Sequence, residues 1–228
     1  MSDDAVSRAP MALPLFPLNS VLFPDMLMPL HIFEPRYRLL VQRCLEDGTP
    51  FGIVLIQEGE EVGPEAIPHR VGTSAEIVAH APLPDGRSLI TVRGGKRFEI
   101  DSVQSDAAPY LVGHVRYLDD APEEAARRLA DVVAEAYADY VVGVVAATGG
   151  VRREVPVVDE IQGGSPCDVS YRVAAGLAVE DDEQQMLLET ATAHERLVRE
   201  REIISRECAL LTEMLVRMRA RGEGPTLH

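Results

Sequence analysis

Residues 13–38 read LPLFPLNSVLFPDMLMPLHIFEPRYR, and this stretch decides how the rest of the chain is interpreted. It places five prolines among three phenylalanines and many leucines. Because proline lacks a backbone N–H and fixes φ, the stretch is too interrupted for a helix or a central strand. We expect an extended path that wraps an edge of a sheet and exposes part of its apolar surface. It is either a buried structural belt or the rim of a groove that docks a peptide.

The peptide-docking interpretation names six candidate contact residues, each of which also fits a structural role: Phe16, Phe23, Pro24, His31, Phe33 and Tyr37. Glu34 and Arg36 are expected to form a structural ion pair. Pro35 lies between them and suits the first position of a helix, where its missing N–H is not needed.

Around this stretch, the first half of the chain predicts short strands at 51–57, 74–81, 87–93, 97–101 and 110–118. Pro84-Asp85-Gly86 predicts a hairpin turn, and Gly94-Gly95-Lys96 predicts another turn. One helix is expected to interrupt the strands, from Pro35 until Gly48 closes it. Many short strands at this spacing are typical of an all-β sandwich or barrel.

From about residue 120 the apolar period changes to that of helices. A start signature at 120–123 precedes a continuous apolar face that ends at Gly149. Ser170 is expected to cap a short helix, and 182–185 to open another. A capping box at 192–195 opens a long helix to about Arg221. Residues 149–168, rich in Gly and Pro, predict a mobile loop, within which 155–158 is a candidate edge strand.

The long helix carries Leu197, Ile204, Leu211 and Met218 seven residues apart. Such a stripe either packs against the chain's own helices or pairs with a second copy. Three acid-before-base pairs four residues apart are expected to support the helix: Glu195/Arg199, Glu202/Arg206 and Glu213/Arg217.

Composition and charge argue against several classes of protein. The net charge of −15 is spread over both halves, and the basic cluster Arg93, Lys96 and Arg97 is small, so a nucleic-acid partner is not expected. No stretch is long and apolar enough to span a bilayer, and the acidic start at 1–4 predicts a cytoplasmic protein. Three widely spaced cysteines predict reduced structural thiols.

Motifs that carry chemistry are missing from the sequence. Gly94-Gly95-Lys96-Arg97 lacks the glycine spacing and hydroxyl of a phosphate-binding loop, and His194-Glu195 lacks the second histidine of a zinc protease. We therefore expect no catalytic residues, no metal and no cofactor, which favours a binding module. Two alternatives stay open: a reader of RNA, and a small-molecule enzyme that uses 149–168 as a lid.

The quoted stretch resembles the start of the N-terminal domain of Lon-type ATP-dependent proteases. The hallmark is Leu-Pro-Leu-Phe-Pro-Leu, here 13–18, followed by Leu-His-Ile-Phe-Glu-Pro-Arg-Tyr, here 30–37. The match continues in order through Gly52-Ile53-Val54, Gly72-Thr73, Asp85-Gly86-Arg87, Arg97-Phe98, Ser170-Tyr171-Arg172 and 185–189. It covers roughly residues 11–217.

The resemblance implies an α+β fold: a PUA-like β pseudo-barrel, mainly antiparallel with one inserted helix, at 11–120, then a helical bundle at 121–228 that ends in a long helix. Arg97 and Phe98, like Glu34, Pro35 and Arg36, would be structural parts of the motif. It implies a non-catalytic module that binds unfolded or tagged proteins or peptides, as an adaptor or chaperone-like factor in protein quality control. Further candidate partners are a Lon protease and a second copy bound through the last helix. Because the match ends before the ATPase and the serine-lysine protease, we expect a stand-alone domain that is not an enzyme.

Overall fold

The computed structural model describes residues 10–59, 66–120, 123–148, 161 and 163–220. These residues fall into two compact units that divide between Asp119 and Asp120. We call them the β unit and the helical unit. In the part of the chain that the structure describes, no helix is both long and apolar enough to cross a membrane.

The described elements of the β unit are, in chain order, β1 (Met11–Leu18), β2 (Leu27–Ile32), α1 (Pro35–Asp47), β3 (Phe51–Glu58), β4 (Ile67–Pro68), β5 (Val71–Pro82), β6 (Ser88–Gln104) and β7 (Val112–Tyr117). Strands β1, β7, β6, β5 and β3 pair in that order, and β3 pairs back with β1, so the five strands close into a ring. The pairing of β1 with β3 is parallel and the others are antiparallel. Strand β2 pairs with β6 off this ring. The predicted pseudo-barrel with one inserted helix is therefore confirmed.

Strand β1 lies in the proline-rich stretch, which was predicted to follow an extended path and to be too interrupted for a central strand. Its first half, 11–14, pairs with β7, and its second half, 15–18, pairs with β3. Each half is thus paired along one side only. A strand paired in this way leaves some backbone N–H groups without a ladder partner, so it tolerates Pro14 and Pro17.

Helix α1 confirms both predicted boundaries. Pro35 is in its first turn, and Gly48 closes it in the left-handed conformation with φ 64°. The buried side of the helix packs into the main core of the β unit, where it joins residues of β2, β3 and β6. Cys44 lies on that side as a buried free thiol, as predicted.

Strand β6 runs through the predicted turn at Gly94-Gly95-Lys96 instead of ending there. The pairing register with β5 shifts between Thr73 and Ala75, so the glycines lie at a bulge and not at a chain reversal. The real reversal is the predicted hairpin, where Gly86 has φ 80°. There the Asp85 carboxylate accepts from the Arg87 backbone N–H at 3.1 Å and from its Nε at 2.6 Å.

The described elements of the helical unit are a 3-10 turn (Glu124–Ala126), α2 (Arg127–Thr148), α3 (Pro166–Gly176), α4 (Asp181–Glu189) and α5 (Ala193–Ala220). Helices α2 and α5 lie side by side and run in the same direction. At one end the Glu123 carboxylate accepts from the His194 N–H at 2.7 Å, and further along Gly143 lies against the Leu211 side chain. The long final helix is confirmed.

Two predictions at the start of α3 are wrong. Ser170 lies inside this helix, and Ser165 is its cap: the Ser165 hydroxyl accepts from the Asp168 N–H, and the Asp168 carboxylate accepts from the Ser165 N–H. Serine followed by proline and then an acid is itself a start signature. Residues 166–168, assigned to the mobile loop, are therefore helical. Residues 149–160 and 162, with the candidate strand at 155–158, lie outside the described residues.

The predicted ion pairs of α5 are confirmed only in part. Arg217 pairs with Glu213 at 2.5 Å. Arg206 instead contacts Glu183 of α4 at 2.7 Å and its neighbour Glu207 at 2.8 Å. Spacing along one helix cannot show that a carboxylate on another helix lies closer.

Candidate functional site

Three of the six candidate contact residues are core residues, which corrects their assignment as peptide contacts. The exposed fractions of Phe16, Phe23 and Tyr37 are 5%, 0% and 4%. The rings of Phe16 and Tyr37 stack with centroids 3.9 Å apart, which joins β1 to α1. A bound peptide cannot reach these rings without opening the core, so they belong to the structural belt.

The other three candidates are accessible. Phe33 is 48% exposed, His31 is exposed, and Pro24 is partly exposed. The His31 and Phe33 rings lie beside each other at the end of β2, with centroids 5.6 Å apart. The stretch at 13–38 is thus a buried belt in its first part and a surface element where β2 ends.

The structure places the residues that were assigned structural roles in ion pairs or in the core. Arg36 Nε lies 3.0 Å from Glu34 Oε2, and the Arg36 guanidinium covers the ring of Tyr37 at 4.4 Å. Arg97 is 2% exposed and Phe98 is fully buried.

His31 and Phe33 belong to a larger surface on the sheet formed by β2, β6 and β5. The pairing registers put Pro29 opposite Thr91 and His31 opposite Leu89, while Ala79 and Ala81 lie on the other side of β6. We call this surface the exposed face and define it by residues Leu27, Pro29, His31, Phe33, Glu76, Ala79, Ala81, Leu89, Thr91 and Arg93.

The opposite side of the same three strands is buried. Met28, Ile32, Ile90 and Val92 alternate with the residues of the exposed face and join the core that α1 covers. Because successive side chains of a strand point to opposite sides, one covered side leaves the other free. Helix α1 therefore determines which side of this sheet meets solvent.

The exposed face is apolar over most of its length. Leu27 and Leu89 are 53% and 49% exposed, and a shallow groove of about 470 Å³ includes Pro29, His31 and Leu89 in its lining. Charged residues occur at one end, where Arg93 lies opposite Glu76. Sequence reasoning missed the residues of β5 and β6, because they lie more than 40 residues from β2 and only pairing brings them together. The alternation of Leu89, Thr91 and Arg93 with buried residues was the available signal.

Both free edges of this three-stranded sheet carry a proline whose missing N–H would point outward. Gly94 N–H donates to the Met26 carbonyl, so alternate residues of β2 face β6 and Pro29 faces the other edge. On β5, Leu83 N–H donates to the Arg87 carbonyl, which by the same alternation turns Pro82 outward. Prolines at such positions oppose the addition of another strand.

The basic cluster that an RNA reader would use is not a surface patch. Arg97 is 2% exposed, and the Lys96 ammonium lies 3.1 Å from the Asp119 carboxylate. Arg93 is exposed but lies opposite Glu76. This arrangement offers little positive charge for phosphate groups.

Among the residues that the structure describes, no group of three or more His, Cys, Asp or Glu side chains is arranged to hold a metal ion. The exposed face can therefore interact with a ligand mainly by covering its apolar side chains.

Comparisons with known protein families and with known proteins all point to Lon proteases. The model of the ATP-dependent protease La (LON) substrate-binding domain matches residues 12–206. A Lon protease of Phenylobacterium zucineum is 27% identical over 202 residues, which are 86% of this chain and 24% of that protein. A Lon protease of Flavobacterium johnsoniae is 33% identical over 119 residues, 50% of this chain and 14% of that protein. The chain thus spans less than a quarter of the length of these relatives.

Solved structures share the fold. A Lon N-terminal domain protein from Xanthomonas campestris superposes with a TM-score of 0.61 at 27% identity, covering 83% of this chain and 96% of that chain. The N-terminal domain of a Mycobacterium avium complex Lon protease gives 0.64 at 17% identity, covering 86% and 98%. Because the family model matches residues 12–206, most of this chain, the chain belongs to the family of LON substrate-binding domains.

Proposed function

We propose that this chain binds extended apolar segments of unfolded or tagged proteins on its exposed face and carries out no reaction itself. The observation that carries the proposal is the exposed apolar surface of this face: Leu27, Phe33 and Leu89 are each about half exposed, and Leu89 lines the groove. Covering apolar surface contributes roughly 25 cal/mol per Å², and contiguous apolar patches of this kind mark binding surfaces.

Side-chain contacts across the face, and not strand addition, are the proposed mode of binding. Pro29 and Pro82 remove N–H groups from the two free edges, which an added strand would need. The groove in between accepts apolar side chains without any backbone ladder. We therefore expect tolerance of many sequences, limited mainly by apolar content.

The proposed cellular role is that of an adaptor or chaperone-like factor in protein quality control. Membership of the LON substrate-binding family supports this role, and a Lon protease is the candidate partner. The role needs no cofactor, because apolar contact alone supplies the binding free energy.

The first test replaces Phe33 and Leu89 by serine, singly and together. The exposed part of each side chain, about half of it, is the apolar surface that a bound segment would cover. Each substitution removes most of that surface, so we expect each to weaken binding about tenfold. The measurement is the affinity for a permanently unfolded, carboxymethylated model protein and for an array of apolar peptides.

The matched control is Met186→Ser, since Met186 is similarly exposed at 42% but lies on α4 of the helical unit. It should bind like the wild type. If the Phe33 and Leu89 variants also bind like the wild type, the exposed face is not the site. If the wild type binds neither probe, the proposed function is wrong.

We also propose that two copies associate through α5. Leu197 and Ile204 are buried within the helical unit, so the first half of the predicted apolar stripe packs against the chain's own helices. Leu210 and Met214, one turn apart, are 53% and 42% exposed.

Light scattering should give the mass of a dimer for the wild type and of a monomer for the double variant Leu210→Ser, Met214→Ser. Val142→Ser, at an apolar position of α2 that is 68% exposed, should leave the dimer intact. A wild-type monomer at the highest soluble concentration contradicts the proposal.

A further inference from the structure

Glu200 is an acidic residue buried completely in the helical unit. It lies on the covered side of α5 with 0% exposure. Neither of its carboxyl oxygens has a hydrogen-bond partner among the residues that the structure describes. Buried polar groups are nearly always hydrogen-bonded, and an isolated carboxylate in such a place carries a large desolvation penalty.

The nearest source of positive charge is Arg196, one turn earlier on the same helix, but the hydrogen bonds of its guanidinium go to other groups. Its Nη1 donates to the Ser170 hydroxyl at 2.7 Å, and its Nη2 donates to the Tyr171 hydroxyl at 3.1 Å and the Thr190 carbonyl at 3.0 Å. An acidic partner is also present, since Asp120 Oδ1 lies 3.9 Å from Nη2. Arg196 therefore attracts a charged Glu200 without forming a hydrogen bond to it.

The helices packed against α5 bury no further charge in the residues that the structure describes. On α2 the buried titratable groups are Tyr137 and Tyr140, and on α3 it is Tyr171, while α4 buries the uncharged Gln185. Burial raises the pKa of Tyr137 to about 12, so this phenol is neutral at ordinary pH. None of the buried groups described on these three helices carries a charge that could offset the desolvation of a carboxylate.

We propose that Glu200 is held as a neutral carboxylic acid in the folded helical unit, and that its ionisation destabilises the helices around it. Burial raises the pKa of Glu200 well above its ordinary value, and the Arg196 charge opposes this shift without cancelling it. The carboxyl group is thus a pH-sensitive element within the bundle, separate from the exposed face of the β unit.

The sign of the pH dependence follows from this arrangement. Below the pKa of about 4.3 that glutamate has in an unfolded chain, the group is protonated in both states and carries no penalty. As the pH rises above that value, the unfolded chain releases the proton and the folded unit retains it, so stability falls. The loss is complete once the pH exceeds the folded pKa.

The test compares the wild type with Glu200→Gln, which has the shape of the neutral acid and cannot ionise. Their thermal midpoints should agree near pH 4. They should separate as the pH rises, until the variant unfolds on the order of 5 °C higher at neutral pH. Using the difference between the two proteins at each pH cancels the titration of other groups.

A second measurement reports the proton directly. The infrared carbonyl stretch of a protonated carboxylic acid should be present in the folded wild type at neutral pH and absent from Glu200→Gln. The control is Glu202→Gln, at an exposed position of the same helix, which should keep the band and the wild-type pH profile. The proposal is overturned if the folded wild type lacks the band, or if Glu200→Gln and wild type show the same pH profile.

Discussion

Replacing Arg196 by alanine is expected to destabilise the helical unit by about 3–5 kcal/mol. The Arg196 side chain is fully buried, and its guanidinium lies over the Tyr171 ring at 4.0 Å. It also donates to the Leu187 carbonyl at 3.1 Å, which holds the last turn of α4. Without Arg196, polar groups from α3, α4 and Asp120 lose a partner, and the volume of the side chain becomes a cavity.

Urea unfolding followed by circular dichroism measures this loss, because most of the helix signal comes from the helical unit. Arg201→Ala is the control, since Arg201 is exposed on the same helix and should change stability by less than about 0.5 kcal/mol. Arg196→Lys should recover only part of the loss, because an ammonium has three donors and no planar face to lie on the ring. Equal stability of Arg196→Ala and Arg201→Ala would show that the network is not structural.

Replacing Gly94 by alanine is expected to cost the β unit about 3 kcal/mol. A Cβ at this position would lie 2.0 Å from the Phe23 carbonyl oxygen, which is backbone and cannot rotate away. Gly94 also donates to the Met26 carbonyl at 2.9 Å and accepts from the Asp25 N–H at 2.8 Å. The clash would therefore break both hydrogen bonds that hold the segment between β1 and β2 against β6.

Amide hydrogen exchange should show the loss at residues 23–26 and along β2 while the helical unit keeps its protection. Gly163→Ala is the control, because no atom of the residues that the structure describes lies within 4 Å of the added methyl, and the substitution should be neutral. If Gly94→Ala keeps wild-type protection at 23–26, the segment is not held by this contact.

Local patterns were sufficient for much of the fold. The start of α1 at Pro35, its end at Gly48, the turn at Gly86 and the start of α5 after Thr192 each depend on a few adjacent residues. These signals are local because caps and turns satisfy backbone groups of their immediate neighbours. The ordered series of short motifs gave the family, which the family model confirms.

The same local reasoning failed where a distant segment decides the outcome. Glycines at 94–95 predict a turn in isolation, but Ser74 and Phe23 lie against them and β6 continues as a bulged strand. Ser170 suits a cap in isolation, but in α3 its hydroxyl instead accepts from Arg196. In both cases the partner is more than 15 residues away.

By itself, the sequence determined the two kinds of structure, the positions of most helices and strands, and the family, since each depends on periodicity or on short motifs. Only the tertiary structure decided what the opening stretch does. Side chains alternate along β2, and α1 covers one side of the sheet, so Met28 and Ile32 are buried while His31 and Phe33 meet solvent. Phe16 is buried for another reason, because its ring stacks on Tyr37 of α1. The tertiary structure also joined Phe33 to Leu89 on one exposed face, because pairing between β2 and β6 brings together residues that the chain separates.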